Sequence, residues 1–149
     1  MSAATAVSAA ETALAELLRR MDVNATIEVV STDPPKLNIE AEDPAVLIGH
    51  RGDGLYALQH ILRLLLIRQG HDTSVVVDVG GYRQRAEEQL KDTARSKAEE
   101  VRATGRLAVL SPMTSYERRL VHMVVTEFDD LVTESLGEGG NRRVMIKKA

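Results

Sequence analysis

With 149 residues, 44% of them hydrophobic and 28% charged, the chain can bury one ordinary core or two small ones in the manner of a soluble protein. The absence of cysteine excludes a disulfide framework and a thiolate zinc site, and the longest apolar run, Ile61 to Ile67, is too short and too interrupted by arginine to enter a bilayer; a cytoplasmic location without membrane insertion is expected. A formal net charge of -3 excludes nucleic-acid binding by bulk electrostatics, although acids crowd residues 1 to 48 and most bases outside that stretch follow Gly80, which leaves room for local basic faces.

Ser8-Ala-Ala-Glu11 reads as a capping box, and Ala10, Leu14, Leu17, Leu18 and Met21 recur behind it at helical spacing, so a first amphipathic helix is predicted there. Thr26 to Val30 and Lys36 to Ala41 are β-prone runs joined across Asp33-Pro34-Pro35, a hairpin or a pair of neighbouring strands whose prolines stiffen the turn. Asp43 followed by Pro44 is a helix cap with proline at the first helical position, and that helix can run only to Ile48 before Gly49. Leu55, Leu58, Ile61, Leu62, Leu65 and Leu66 then make a wide apolar stripe on a long helix that stops near Gly70, and Ser74 to Val79 reads as a buried strand.

Gly80-Gly81 marks the expected boundary, with one domain over residues 1–80 and a second over 81–149. Tyr82 to Thr104 is a charged helix with a narrow apolar row of Ala86, Leu90, Ala94, Ala98 and Val101, either a linker between modules or the first helix of the second. Leu107 to Leu110 is a short strand, Ser111-Pro112 turns the chain, and Thr114-Ser-Tyr-Glu117 is another capping box that opens a helix to about Phe128. The segments LVTESL, GEGGN and RRVMIKK alternate around a glycine-rich turn and predict a closing hairpin.

Ile48-Gly49-His50-Arg51-Gly52 lies between the short helix and the long one. Two glycines flanking two polar residues bend sharply, expose amide donors near the positive end of the next helix, and lack side chains that would hold a phosphate away. His50 and Arg51 would add a donor and a charge. Val46, Leu47 and Leu55, with Leu37 or Ile39, could floor a groove for unstacked bases, read by their edges and by shape since only 3% of the chain is aromatic. The bland alternative is a tight helix-to-helix turn. The string VLIGHRGDGLYALQHILRLLL, preceded by a strand pair and followed by a strand, resembles the core of a type II KH domain over roughly residues 22 to 79. That resemblance implies a three-stranded sheet packed by helices, a ligand of about four single-stranded nucleotides, and a clamp made of Gly49, His50, Arg51 and Gly52 with Ile48 as its hydrophobic neighbour. Asp53 sets an acid beside the proposed phosphate, where capping the next helix is its expected role.

Arg118 and His122 stand four residues apart, so they project from one helix face while Leu120, Val121, Val124, Val125 and Phe128 point to another. A solvated face is the plain reading of such a pair; the other is a polar pair free to meet a ligand. The segment SPMTSYERRLVHMVVTEF with the hairpin behind it resembles an R-3-H domain over roughly residues 85 to 147, named for an arginine and a histidine separated by three residues and associated with single-stranded nucleic acid. Arg119, Arg142, Arg143, Lys147 and Lys148 would extend a positive surface, or would guard an edge strand by charge.

A KH module followed by an R-3-H module resembles the Jag family, the SpoIIIJ-associated bacterial RNA-binding proteins. The fold class implied is α+β: a type II KH domain, then a small α+β R-3-H domain. The resemblance implies a cytoplasmic regulator that binds single-stranded RNA, or DNA, and works with a small separate KH protein; self-association is left open. The amino-terminal Jag domain that many members carry is expected to be missing. A dinucleotide fingerprint, a Walker loop, a nucleophile elbow and close histidine pairing are all absent, so no catalytic residue, metal or cofactor is expected. Two competing readings are a protein-interaction adaptor that has lost RNA affinity, favoured by the acidic first third and Asp53, and a ribosome-associated assembly factor.

Overall fold

Alanine has the highest helix propensity of any residue, and the alanine-rich opening is helical well before Ser8. The structure, a computed structural model, describes residues 2–149, and α1 spans Ala3–Arg20. Ser2 stands at its N-cap in extended conformation, its hydroxyl bonded to Thr5 Oγ1 at 2.9 Å rather than to a backbone amide. Ser8 therefore lies inside the helix, and the capping-box reading there is corrected. One face of α1 buries Ala6, Val7, Ala10, Ala13, Leu14 and Leu18.

The chain divides into two compact units, one running to Arg83 and the other from Gln84 to Ala149. In the first, β1 (Ala25–Thr32) and β2 (Pro35–Ala41) pair antiparallel, with a register shift between Val29 and Ser31, and β3 (Val76–Val79) pairs parallel to β2, giving the order β1-β2-β3. The parallel return is made by α2 (Pro44–Ile48), a single 3-10 turn at His50–Gly52, and α3 (Asp53–Arg68). The order of strands, short helix, glycine turn, long helix and strand is thus the one expected. Leu37 and Ile39 on β2 and Val77 and Val79 on β3 alternate into the core, where they meet Leu55, Leu58, Leu62 and Leu66 of α3 and the buried face of α1. The buried stripe on α3 is narrower than the apolar one in the sequence, since Ile61 is 45% exposed and Leu65 only half-buried. On the opposite side of the sheet Glu28, Asn38 and Asp78 form one cross-strand row, and Asn38 Nδ2 donates to Glu40 Oε1 at 2.8 Å.

In the second unit α4 (Tyr82–Thr104), which starts at the end of the first, buries the small residues Ala94 and Ala98 with Val101. The predicted capping box at α5 (Ser115–Val125) is present in both halves: Glu117 N–H donates to Thr114 Oγ1 at 3.3 Å and Thr114 N–H to Glu117 Oε2 at 2.7 Å. Val121, Val124 and Val125 of α5 join the α4 row against Val144 and Ile146, and Leu120 is buried as well. β4 (Ala108–Val109), β5 (Leu131–Leu136) and β6 (Arg143–Lys148) form an antiparallel sheet in the order β4-β6-β5. β6 is the central strand, so its bases do not guard an edge, and that expectation is corrected.

The first unit turns on a backbone contact. A Cβ on Gly49 would lie 2.8 Å from Gly54 N, and one on Gly54 would lie 2.7 Å from the Leu47 carbonyl oxygen. Only glycine lets the end of α2 rest on the first turn of α3. Gly54→Ala should therefore destabilise the first unit by about 1–3 kcal/mol, measured by urea denaturation followed by circular dichroism. Gly140→Ala, whose Cβ would meet nothing within 4 Å, should leave the unfolding midpoint in place.

Candidate nucleic-acid interface

The turn between α2 and α3 follows from that contact. Gly49 adopts φ +68° and ψ -166°, Gly52 adopts φ +84°, and between them Arg51 takes a left-handed φ of +53°, uncommon for a residue with a side chain. Gly49, His50 and Arg51 are exposed, Ile48 is half-buried against the core, and Gly52 is buried. A Cβ at Gly52 would come within 2.9 Å of Tyr82 Cε1 and 3.1 Å of Tyr56 Cε2, so two aromatic rings close over it. The open part of the expected clamp is therefore Gly49 to Arg51, and Gly52 serves packing. Asp53 lies in the first turn of α3 without a side-chain capping bond, as Asp43 does at the N-cap of α2, so neither carboxylate caps as expected. Asp53 instead sets negative charge at the positive helix end. The expected groove floor is also corrected: Leu37, Ile39, Leu47 and Leu55 are at most 2% exposed and belong to the core, while Val46 is 60% exposed.

Beside the turn, the outer edge of β3 is covered by side chains. Val77 N–H donates to Gln59 Oε1 at 2.9 Å, and Arg83 donates from Nε to the Val77 carbonyl at 2.9 Å and from Nη2 to Gln59 Oε1 at 2.7 Å. Asp78 Oδ1 accepts from the Val79 and Arg83 amides at 2.8 and 3.2 Å. The Arg83 guanidinium lies 4.9 Å from the centre of the Tyr56 ring, within cation–π range. No local pattern joins Tyr56, Gln59, Tyr82 and Arg83, which the fold assembles from two helices.

In the second unit Arg118 and His122 share a face of α5, but neither is free as expected. Arg118 is half-buried and donates from Nη1 to the Met113 carbonyl at 3.0 Å, while Met113 N–H donates to the Arg142 carbonyl at 3.0 Å. His122 stays exposed with Nδ1 bonded to Thr133 Oγ1 of β5 at 2.6 Å. The pair ties α5 to the segment before it and to the hairpin. Arg119 and Arg142 are exposed, Arg143 Nε donates to the Asn141 carbonyl at 3.1 Å, and Lys147 is bridged to Glu134 at 3.0 Å. Among the described residues no group of three or more His, Cys, Asp or Glu could hold a metal ion, and no helix is long and apolar enough to cross a membrane.

An α+β unit whose capped helix carries arginine and histidine on one face, tied to a closing hairpin, defines an R-3-H domain, and the sequence model of that domain family matches residues 88–148. Over longer stretches the chain is similar to proteins named RNA-binding protein KhpB. It is 34% identical over 128 residues to that of Clostridium symbiosum, a match covering 85% of this chain and 58% of the relative. It is 33% identical over 144 residues to that of Lactiplantibacillus plantarum, covering 95% and 45%, and 36% identical over 114 residues to that of Bacillus subtilis, covering 74% and 55%. The chain is similar to the KhpB, or Jag, family along most of its own length, and it spans about half the length of the curated relatives it matches.

α4 and α5 are joined at the edge of this domain by Glu87, whose carboxylate takes Lys91 Nζ at 2.7 Å and the Tyr116 hydroxyl at 2.9 Å. The Lys91 ammonium, then the Tyr116 hydroxyl, lower the Glu87 pKa, and the same hydrogen bond to Glu87 raises that of Tyr116. The stabilisation from Glu87 is thus present at neutral pH and lost as acid protonates the carboxylate below its ordinary range. Near-ultraviolet titration should place one tyrosine, identified by Tyr116→Phe, above the usual phenol range, and Glu87→Gln should bring it down.

Proposed function

We propose that this protein binds single-stranded RNA, that its first unit is a type II KH domain, and that the turn Gly49–Arg51 holds the sugar-phosphate backbone. The observation that carries the reading is the exposure of Gly49, His50 and Arg51 ahead of the 16-residue helix α3, whose positive end favours an anion. Glycine at position 49 keeps that approach free of side chain. The relatives' names support RNA as the ligand class. The R-3-H domain supplies the second contact through Arg119 and Arg142 on its surface, with Arg143 beside them and with Arg118 and His122 fixing the local frame. The function is regulatory and non-enzymatic, that of a cytoplasmic bacterial RNA-binding factor with a small separate KH protein as its partner.

The second reading is an adaptor of the same fold without RNA affinity, favoured by the net charge of -3 and by Asp53 in the first turn of α3. Fluorescence anisotropy with a short labelled single-stranded RNA separates the two. RNA binding should weaken steeply as salt rises, and His50→Asp combined with Arg51→Asp should abolish it. The variant should still unfold cooperatively, because both residues are exposed and aspartate tolerates the left-handed conformation at position 51 better than most residues. Absence of salt-dependent binding by the unsubstituted protein would leave the adaptor.

A further inference from the structure

Tyr56 is an exposed aromatic side chain that the fold holds in place. The residue is 44% exposed, yet one ring edge sits over Gly52 and the Arg83 guanidinium lies 4.9 Å from the ring centre. Arg83 is itself immobilised by its bonds to the Val77 carbonyl and Gln59 Oε1, so the ring is braced by a group with little freedom. A hydrophobic side chain packed for stability alone would be drawn inward. Tyr56 instead stays exposed over Gly52, the residue that follows the open stretch Gly49 to Arg51, and His60 and Arg63, four and seven residues further along α3, are exposed on the same helical face.

We propose that Tyr56 is a stacking platform for one nucleobase of the single strand whose phosphates are held at Gly49–Arg51, with Arg83 as the positioning residue that presents the ring. This rests on the RNA-binding reading above and adds to it a contact with a base. A base stacks on an aromatic ring in any sequence, because every base has a π face. Bracing by Arg83 means that little side-chain freedom is lost when the base arrives. Arg63 lies two turns along the helix, where it supplies a cation for the strand beyond the stacked base.

The test uses the full chain and a short labelled single-stranded RNA of mixed sequence. Tyr56→Leu and Tyr56→Ala, each assayed well below its own melting transition, should weaken binding about tenfold with a parallel salt dependence, since no phosphate contact is removed. Tyr56→Phe should restore binding. The chain contains no tryptophan, so Tyr56→Trp creates a single reporter, whose emission should be quenched by the RNA and not when His50→Asp and Arg51→Asp are added. If Tyr56→Leu binds within about twofold of the unsubstituted protein and the reporter is silent while salt-dependent binding persists, the stacking platform is overturned and the RNA-binding reading stands. If the unsubstituted protein does not bind the RNA at all, both fall.

Discussion

Two stretches of backbone meet at Gly49 and Gly54, and the geometry of the first unit follows from their contact. With no side chain on either, the end of α2 lies directly on the first turn of α3, and Leu47 and Leu55 enter the core on either side of the junction. The residues between have nowhere to go but outward. Gly49, His50 and Arg51 are lifted into solvent, Arg51 is forced to a left-handed φ, and Gly52 folds back beneath Tyr56 and Tyr82. The tight-turn reading and the ligand-binding reading of the glycines are therefore compatible: close packing of two helices is the mechanism that exposes the turn.

Much of the fold is legible in the sequence because its strongest signals are local. The capping box at Thr114 and Glu117, the narrow row of Ala94, Ala98 and Val101, and the β-prone run that becomes β2 each depend on neighbours a few residues away, and each is realised. The misreadings arise where local rules compete or where tertiary order intervenes. Ser8 and Glu11 have capping-box spacing, but the alanines before them already favour helix, so no boundary forms. Ile61 continues an apolar stripe whose burial is limited by what the sheet and α1 can cover. The central position of β6 is a property of strand order, which a hairpin pattern does not encode.

The candidate site was legible to a different degree in each unit. In the first, the glycine turn was visible as a string, but the groove floor assigned to Leu37, Ile39, Leu47 and Leu55 was not available, since residues in these positions are needed by the core. The side chains that do surround the turn come from α3 and from the start of α4, and a spacing of 27 residues between Tyr56 and Arg83 carries no periodic signal. In the second unit, the helical spacing of Arg118 and His122 correctly placed them on one face. It could not tell that a backbone carbonyl and a threonine hydroxyl would occupy them.

The row of Glu28, Asn38 and Asp78 on the outer side of the first sheet, with Glu40 beside it, gathers three carboxylates around one amide. Lys36 stands on the same face of β2, two residues before Asn38, so the face carries both signs and its field fades within a screening length of about 8 Å in physiological salt.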